Sequence, residues 1–126
     1  KSYHELAEEL AESSNNEAKL RSSISRAYYA AFCTACNFIS HVDHKPLPDD
    51  EPIHQYVANY FSGEVHGSKK NNKSAKIGFE LKRMKADRVN ADYDSHTNDI
   101  KSLNATAKDV LMRSNRVISL IEMGGF

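Results

Sequence analysis

The chain has 126 residues, 40% of them hydrophobic and 27% charged, and its 17 basic and 17 acidic side chains cancel. This is the composition of one ordinary globular domain, 1–126, long enough to bury roughly two thirds of its unfolded surface without a staple, and its balanced charge favours no class of partner. Two cysteines only three apart exclude a disulfide framework and point to a reducing compartment, hence a cytoplasmic location, and no apolar run reaches the roughly 18 residues of a membrane span.

Segment 3–12, YHELAEELAE, places Leu6 and Leu10 at i, i+4 with acids between them and reads as a short amphipathic helix. Ser14 followed three residues later by Glu17 fits a capping box, in which side chains satisfy the open N–H groups of a new helix. Behind it Leu20, Ile24, Ala27, Tyr28, Ala31, Ala35, Phe38 and Ile39 keep a 3.6-residue period, which predicts a long helix over 16–41. The proline-rich HVDHKPLPDDEP ends that helix.

Segment 53–61, IHQYVANYF, aligns Ile53, Tyr56, Val57 and Tyr60 on one side of a further helix. A polar connection with two glycines follows, SGEVHGSKKNNKS. Helical spacing resumes over 75–93, with Ile77, Leu81, Met84, Arg88 and Ala91 on one face. DSHTND supplies N-cap candidates for a last helix carrying Ile100, Leu103, Ala107, Val110, Leu111, Val117, Ile118 and Ile121, stopped by Gly124 and Gly125. The expected fold is an all-α, antiparallel four- to five-helix bundle with short connections.

Two arginines interrupt apolar faces. Between Ser22 and Ser40 the only charge is Arg26, within SRAYYAAF. On a helical wheel Arg26 falls with Ser22, Tyr29, Cys33 and Cys36, opposite the main stripe, on a side without Lys, Asp or Glu. A solvated face normally carries such residues, so this one is expected to be covered by another helix, a second copy of the chain or a ligand. Arg88 sits on the apolar face of 75–93 with Asp92 at i+4, a spacing that permits a pair within the helix. Two readings follow: a structural ion pair that locks two helices, or convergence of Arg26 and Arg88 about Asp92 in a net-positive pocket suited to a phosphate.

The charge is locally uneven. Residues 66–88 hold eight cations (Lys69, Lys70, Lys73, Lys76, Lys82, Arg83, Lys85 and Arg88) against Glu80 and Asp87, while five glutamates in 1–19 face two lysines. This is either a solvated face balanced by the acidic segment or an RNA-backbone track that includes Lys82 and Lys85. Cys33 and Cys36 lie in mid-helix, away from the N-terminal position that stabilises a redox thiolate, and read as packing residues. His41, Asp43 and His44 lack a partner motif for a metal, so neither a metal nor a cofactor is expected.

SRAYYAAF together with RVNADY resembles the HEPN domain family, most closely its small stand-alone bacterial members, which have a Ser-Arg-x-Tyr-Tyr-Ala helix and an Arg-x-x-x-Asp-Tyr helix end. The resemblance spans most of the chain. It implies a helical bundle that works as a homodimer in toxin–antitoxin, phage-defence or RNA-processing systems, often beside a nucleotidyltransferase partner. Catalytic members are metal-independent endoribonucleases with an Arg, four to six residues, and a His. Here His96 follows Arg88 with seven residues between, and the corresponding position after Arg26 is Cys33.

The function the resemblance implies is RNA or nucleotide binding, extending in an active form to a ribonuclease toxin or defence component. Arg26, Tyr29, Arg88, Asp92 and Tyr93 would then form the binding centre, with Arg88 stabilising a pentacoordinate phosphate and His96 moving a proton. Tyr93 also matches the tyrosine that such nucleotidyltransferases modify. The alternative is a non-catalytic dimerisation or partner-interaction module whose Arg–Asp centre is structural.

Overall fold

A computed structural model of the chain describes residues 17–48, 52–64, 71–93 and 100–124, with Tyr3, Glu5 and Phe126. These residues form four helices and no strand: α1 (Glu17–Asn37), prolonged by a π turn (Phe38–Val42), α2 (Ile53–Ser62), α3 (Asn72–Tyr93) and α4 (Ile100–Met123). The all-α bundle expected from the apolar periods is the observed architecture. Of the predicted helix over 3–12 only Tyr3 and Glu5 are described, and both are helical; the rest of it lies outside the described residues.

The predicted stripe of α1 is the centre of the core. Leu20, Ile24, Ala27, Ala31, Ala35 and Ile39 have no exposed surface, and Tyr28 has 1%. The helix ends later than an α-helix would, because its last turn widens. Asp43 N–H bonds to Phe38 O at 3.0 Å and Lys45 N–H to Ile39 O at 2.9 Å, and the buried Tyr60 hydroxyl donates to the Asp43 carboxylate. α3 begins three residues before the apolar period does. Asn71 Oδ1 accepts the Ser74 N–H at 2.9 Å, and the fully buried Ser74 hydroxyl donates to Phe61 O. A cap of this kind satisfies first-turn donors without any apolar residue. Gly63 (φ 84°) and Gly124 (φ 68°) close α2 and α4 in the left-handed conformation that glycine adopts without strain.

Paired residues give the topology. Arg21 on α1 bonds Ala91 O near the end of α3, and Glu80 on α3 reaches Arg113 and Arg116 on α4, so α3 is antiparallel to both. Gly78 meets Ala58 and Ser62 of α2, again antiparallel. α1 runs in the same sense as α2 (Phe32 on His54, Phe38 on Phe61) and α4 (Ala27 with Ser114, Phe38 with Phe126).

Two contacts set the spacing of α3. A Cβ on the buried Gly78 would lie 2.7 Å from Ala58 O and 3.0 Å from Ser62 N, so only glycine admits this approach of α2. On the other side Glu80, 1% exposed, accepts from Arg113 at 2.6 Å and Arg116 at 2.8 Å, and Arg113 also bonds Asp109 at 2.8 Å. A carboxylate buried this deeply is tolerable because both oxygens receive a guanidinium N–H. Among the described residues no helix is long and apolar enough to cross a membrane.

Candidate nucleic-acid interface

Tyr28 lies in the core stripe of α1, yet its hydroxyl reaches out of the core to His54 Nδ1, 2.6 Å away on the first turn of α2. The imidazole stacks on Phe32 with ring centroids 4.3 Å apart and meets the Tyr29 ring edge-on at 5.9 Å. Burial, then the Lys85 and Arg88 charges, hold the His54 pKa below its ordinary 6.5. Burial, more than the neighbouring Tyr29, pushes the Tyr28 phenol up. Both groups are therefore neutral at pH 7. The buried phenol has no other acceptor among the described residues, so its O–H donates to Nδ1, which assigns the imidazole proton to Nε2. His54 is thus a neutral hydrogen-bond donor locked in one tautomer.

This pair lines an open groove of about 560 Å³ between α2 and α3. Ala58 and Leu81 contribute its apolar surface, and Lys82 and Lys85 line the α3 side. Asn59 adds a buried Oδ1 that makes no hydrogen bond among the described residues. Lys82 makes a 3.6 Å pair with Glu64, both ends about half exposed, and so stays largely available to a competing anion. The groove therefore offers two ammonium groups, one neutral imidazole donor, amide groups and apolar surface. A phosphate with an attached organic group matches those features.

A second cavity, about 430 Å³, opens where the start of α1 meets the end of α3. Arg21, Ser22, Ser25, Arg26 and Asp92 line it. The Ser25 hydroxyl donates to Asp92 Oδ1 at 3.3 Å, and Arg88 Nε stands 3.4 Å from Asp92 Oδ2. That separation is long for a hydrogen bond, and Arg88 Nε has no hydrogen-bonded acceptor among the described residues, so the pair is a charge contact. The Arg88 guanidinium also lies over the Tyr29 ring, 5.0 Å from its centroid. Asp92 consequently stands between Arg88 and the cavity lined by Arg26. Tyr93 closes α3, and His96 lies outside the described residues.

The predicted residues thus fall into two adjoining groups. Arg26, Tyr29, Arg88 and Asp92 gather at the α1–α3 contact, while Lys82 and Lys85 line the α2–α3 groove. Half-buried Tyr29 accounts for part of the uncharged second face of α1: Arg88 of α3 and His54 of α2 cover it. Cys33 and Cys36 are neutral thiols. Burial raises both, Cys36 to about 11 with Cys33 adding to the effect, which removes thiolate reactivity at neutral pH. No cluster of three metal-ligating side chains occurs among the described residues. Sequence reasoning missed His54. Its partner Tyr28 is 26 residues away, and no local spacing connects them.

Compared with known protein families, with curated proteins and with solved structures, the chain matches none.

Proposed function

We propose that this protein is a HEPN-like RNA- or nucleotide-binding protein that acts as a cytoplasmic homodimer in a toxin or defence system. The observation that supports the reading is that the two segments carrying the resemblance meet. Arg88 of RVNADY lies over Tyr29 of SRAYYAAF, and Ser25 bonds Asp92. Beside that contact Lys82, Lys85 and neutral His54 line one groove, the chemistry a phosphate-bearing ligand needs. Arg88 and His54 both contact the Tyr29 ring, so cation and imidazole stand on the same side chain.

Binding of mixed-sequence RNA and of nucleoside triphosphates at low salt tests the reading, with RNA integrity followed on gels. Lys82→Ala and Lys85→Ala each weaken RNA binding and lower the salt slope by about one. Arg88→Lys retains more binding than Arg88→Ala. Wild-type protein that binds neither RNA nor nucleotides sinks the proposal. The second reading, a non-catalytic interaction module, draws on the charge contact of Arg88 with Asp92 and on its place over the Tyr29 ring, both within the chain. It predicts an unaltered partner or dimer mass together with no nucleic-acid affinity, and gel filtration supplies that mass.

A further inference from the structure

Phe79 is 60% exposed, although it belongs to a long helix whose inner face has ample core to fill. It lies opposite Ile77 and Met84 on the helical wheel, in the middle of the outward face of α3. Its neighbours at i−3, i+3 and i+4 are the exposed cations Lys76, Lys82 and Arg83. Its neighbours at i−4 and i+7, Ala75 and Ala86, are exposed as well and too small to cover a phenyl ring. The face is therefore one open aromatic ring bracketed by positive charge. Two of these cations have carboxylate partners, Glu64 at 3.6 Å from Lys82 and Asp87 at 3.6 Å from Arg83. Ion pairs of that length on half-exposed cations contribute little and yield to a phosphate.

We propose that this outward face of α3 is a track for single-stranded RNA, with Phe79 as the platform on which an unpaired base stacks. The inference rests on the RNA-binding reading and specifies its substrate. A cationic groove that follows the backbone and an aromatic ring that takes the base are the two elements of single-strand recognition. Paired bases in an A-form duplex are out of reach of such a ring, so its exposure selects for unpaired strands. A membrane surface is a poorer occupant, because an interfacial helix needs a continuous apolar stripe and this face has one large apolar side chain flanked by alanines. Lys82 joins the track to the groove that contains His54, so a strand laid along α3 leads into it.

Fluorescence anisotropy with a labelled oligouridine of about 12 nucleotides, against a duplex of equal length, tests this. Phe79→Leu keeps an apolar side chain and removes the stacking surface. Single-strand affinity is expected to fall roughly 5- to 100-fold while the salt slope stays unchanged. Phe79→Trp retains affinity, and duplex binding is the same in all three proteins. Lys76→Ala and Arg83→Ala lower the slope by about one each. Unchanged melting temperatures confirm that these surface variants fold. Salt-dependent RNA binding that Phe79→Leu leaves intact overturns the stacking assignment and spares the broader RNA reading. No RNA binding by the wild type overturns both. Binding to phosphatidylserine vesicles that excess oligouridine fails to displace assigns the face to a membrane and overturns the track.

Discussion

Replacing Gly78 with alanine sets two effects of opposite sign against each other. Within a helix the change favours folding by about 1 kcal/mol, because glycine loses more backbone freedom. Against this, the new Cβ lies 2.7 Å from Ala58 O, 3.0 Å from Ser62 N and 3.1 Å from Ser62 Cβ. Two of those atoms are backbone, so no side-chain rotation relieves the overlap. α2 has to move by roughly 0.7 Å to reach ordinary contact, and overpacking of this kind costs about 1–3 kcal/mol. The displaced helix supplies Val57, Ala58, Tyr60 and Phe61 to the core, which places the cost towards the upper end. The net expectation is a loss of about 1–2 kcal/mol, seen in a circular-dichroism melt as a fall of roughly 3–8 °C. The same movement pulls His54 away from Tyr28, so the His54 titration followed by NMR shifts as well. A Gly78→Ala protein that melts at or above the wild-type temperature would refute the reasoning, since it would mean that α2 is free to move outward.

Glu80→Ala removes the acceptor that Arg113 and Arg116 share, while Arg113 keeps Asp109, and is expected to cost about 1–3 kcal/mol in urea unfolding; Glu80→Gln, which keeps the shape, costs less. Tyr28→Phe strips Nδ1 of its donor, with a loss of about 1–3 kcal/mol by thermal melt and a His54 pKa that rises in an NMR titration. Because the folded His54 pKa lies below the unfolded value, its contribution is present above pH 6.5 and is lost as pH falls from there. Melts at pH 5 and 7 should differ in that direction, and the difference should shrink in His54→Asn. Asp87 has the opposite sign: burial, opposed in part by Arg83, raises its pKa, so it favours the folded state less as pH rises above 3.8. Asp87→Asn is therefore expected to raise the melting temperature at pH 7, with the gain fading below pH 4.

What the sequence conveyed about the fold was its local part. The periodic residues of α1 from Leu20 to Ile39 lie in the core as a 3.6-residue stripe requires, except for Phe38, which is only partly buried against it, and the glycine stops of α2 and α4 fall where such residues end helices. Glu80 was illegible. In one dimension it is one of two acids among eight cations and reads as surface compensation, whereas its burial depends on Arg113 and Arg116, 33 and 36 residues further along. His54 was hidden for the same reason, since the groups that neutralise and orient it come from α1 and α3. Arg88 and Asp92 were visible as an i, i+4 pair because that contact lies within one helix. The start of α3 escaped because hydrogen bonds from Ser74, its N–H to Asn71 Oδ1 and its hydroxyl to Phe61 O, define it, and neither Asn71 nor Ser74 adds to an apolar period.

The π turn at Phe38–Val42 gives this domain slack in chain length. Such a turn is an α-helix holding one residue more than it needs. Ile39, the last core residue of α1, precedes most of that surplus, and Ser40, His41 and Val42 are at least partly exposed. Deleting one of these three would restore an ordinary helical turn without rotating any buried side chain of α1 out of phase. The contacts that span the turn would have to re-form: the Asp43 carboxylate under the Tyr60 hydroxyl, and the Asp43 and Lys45 N–H groups on Phe38 O and Ile39 O. Single-residue insertions and deletions in relatives of this chain should therefore concentrate at the end of α1, where they alter the reach to α2 and leave the stripe from Leu20 to Ile39 in register.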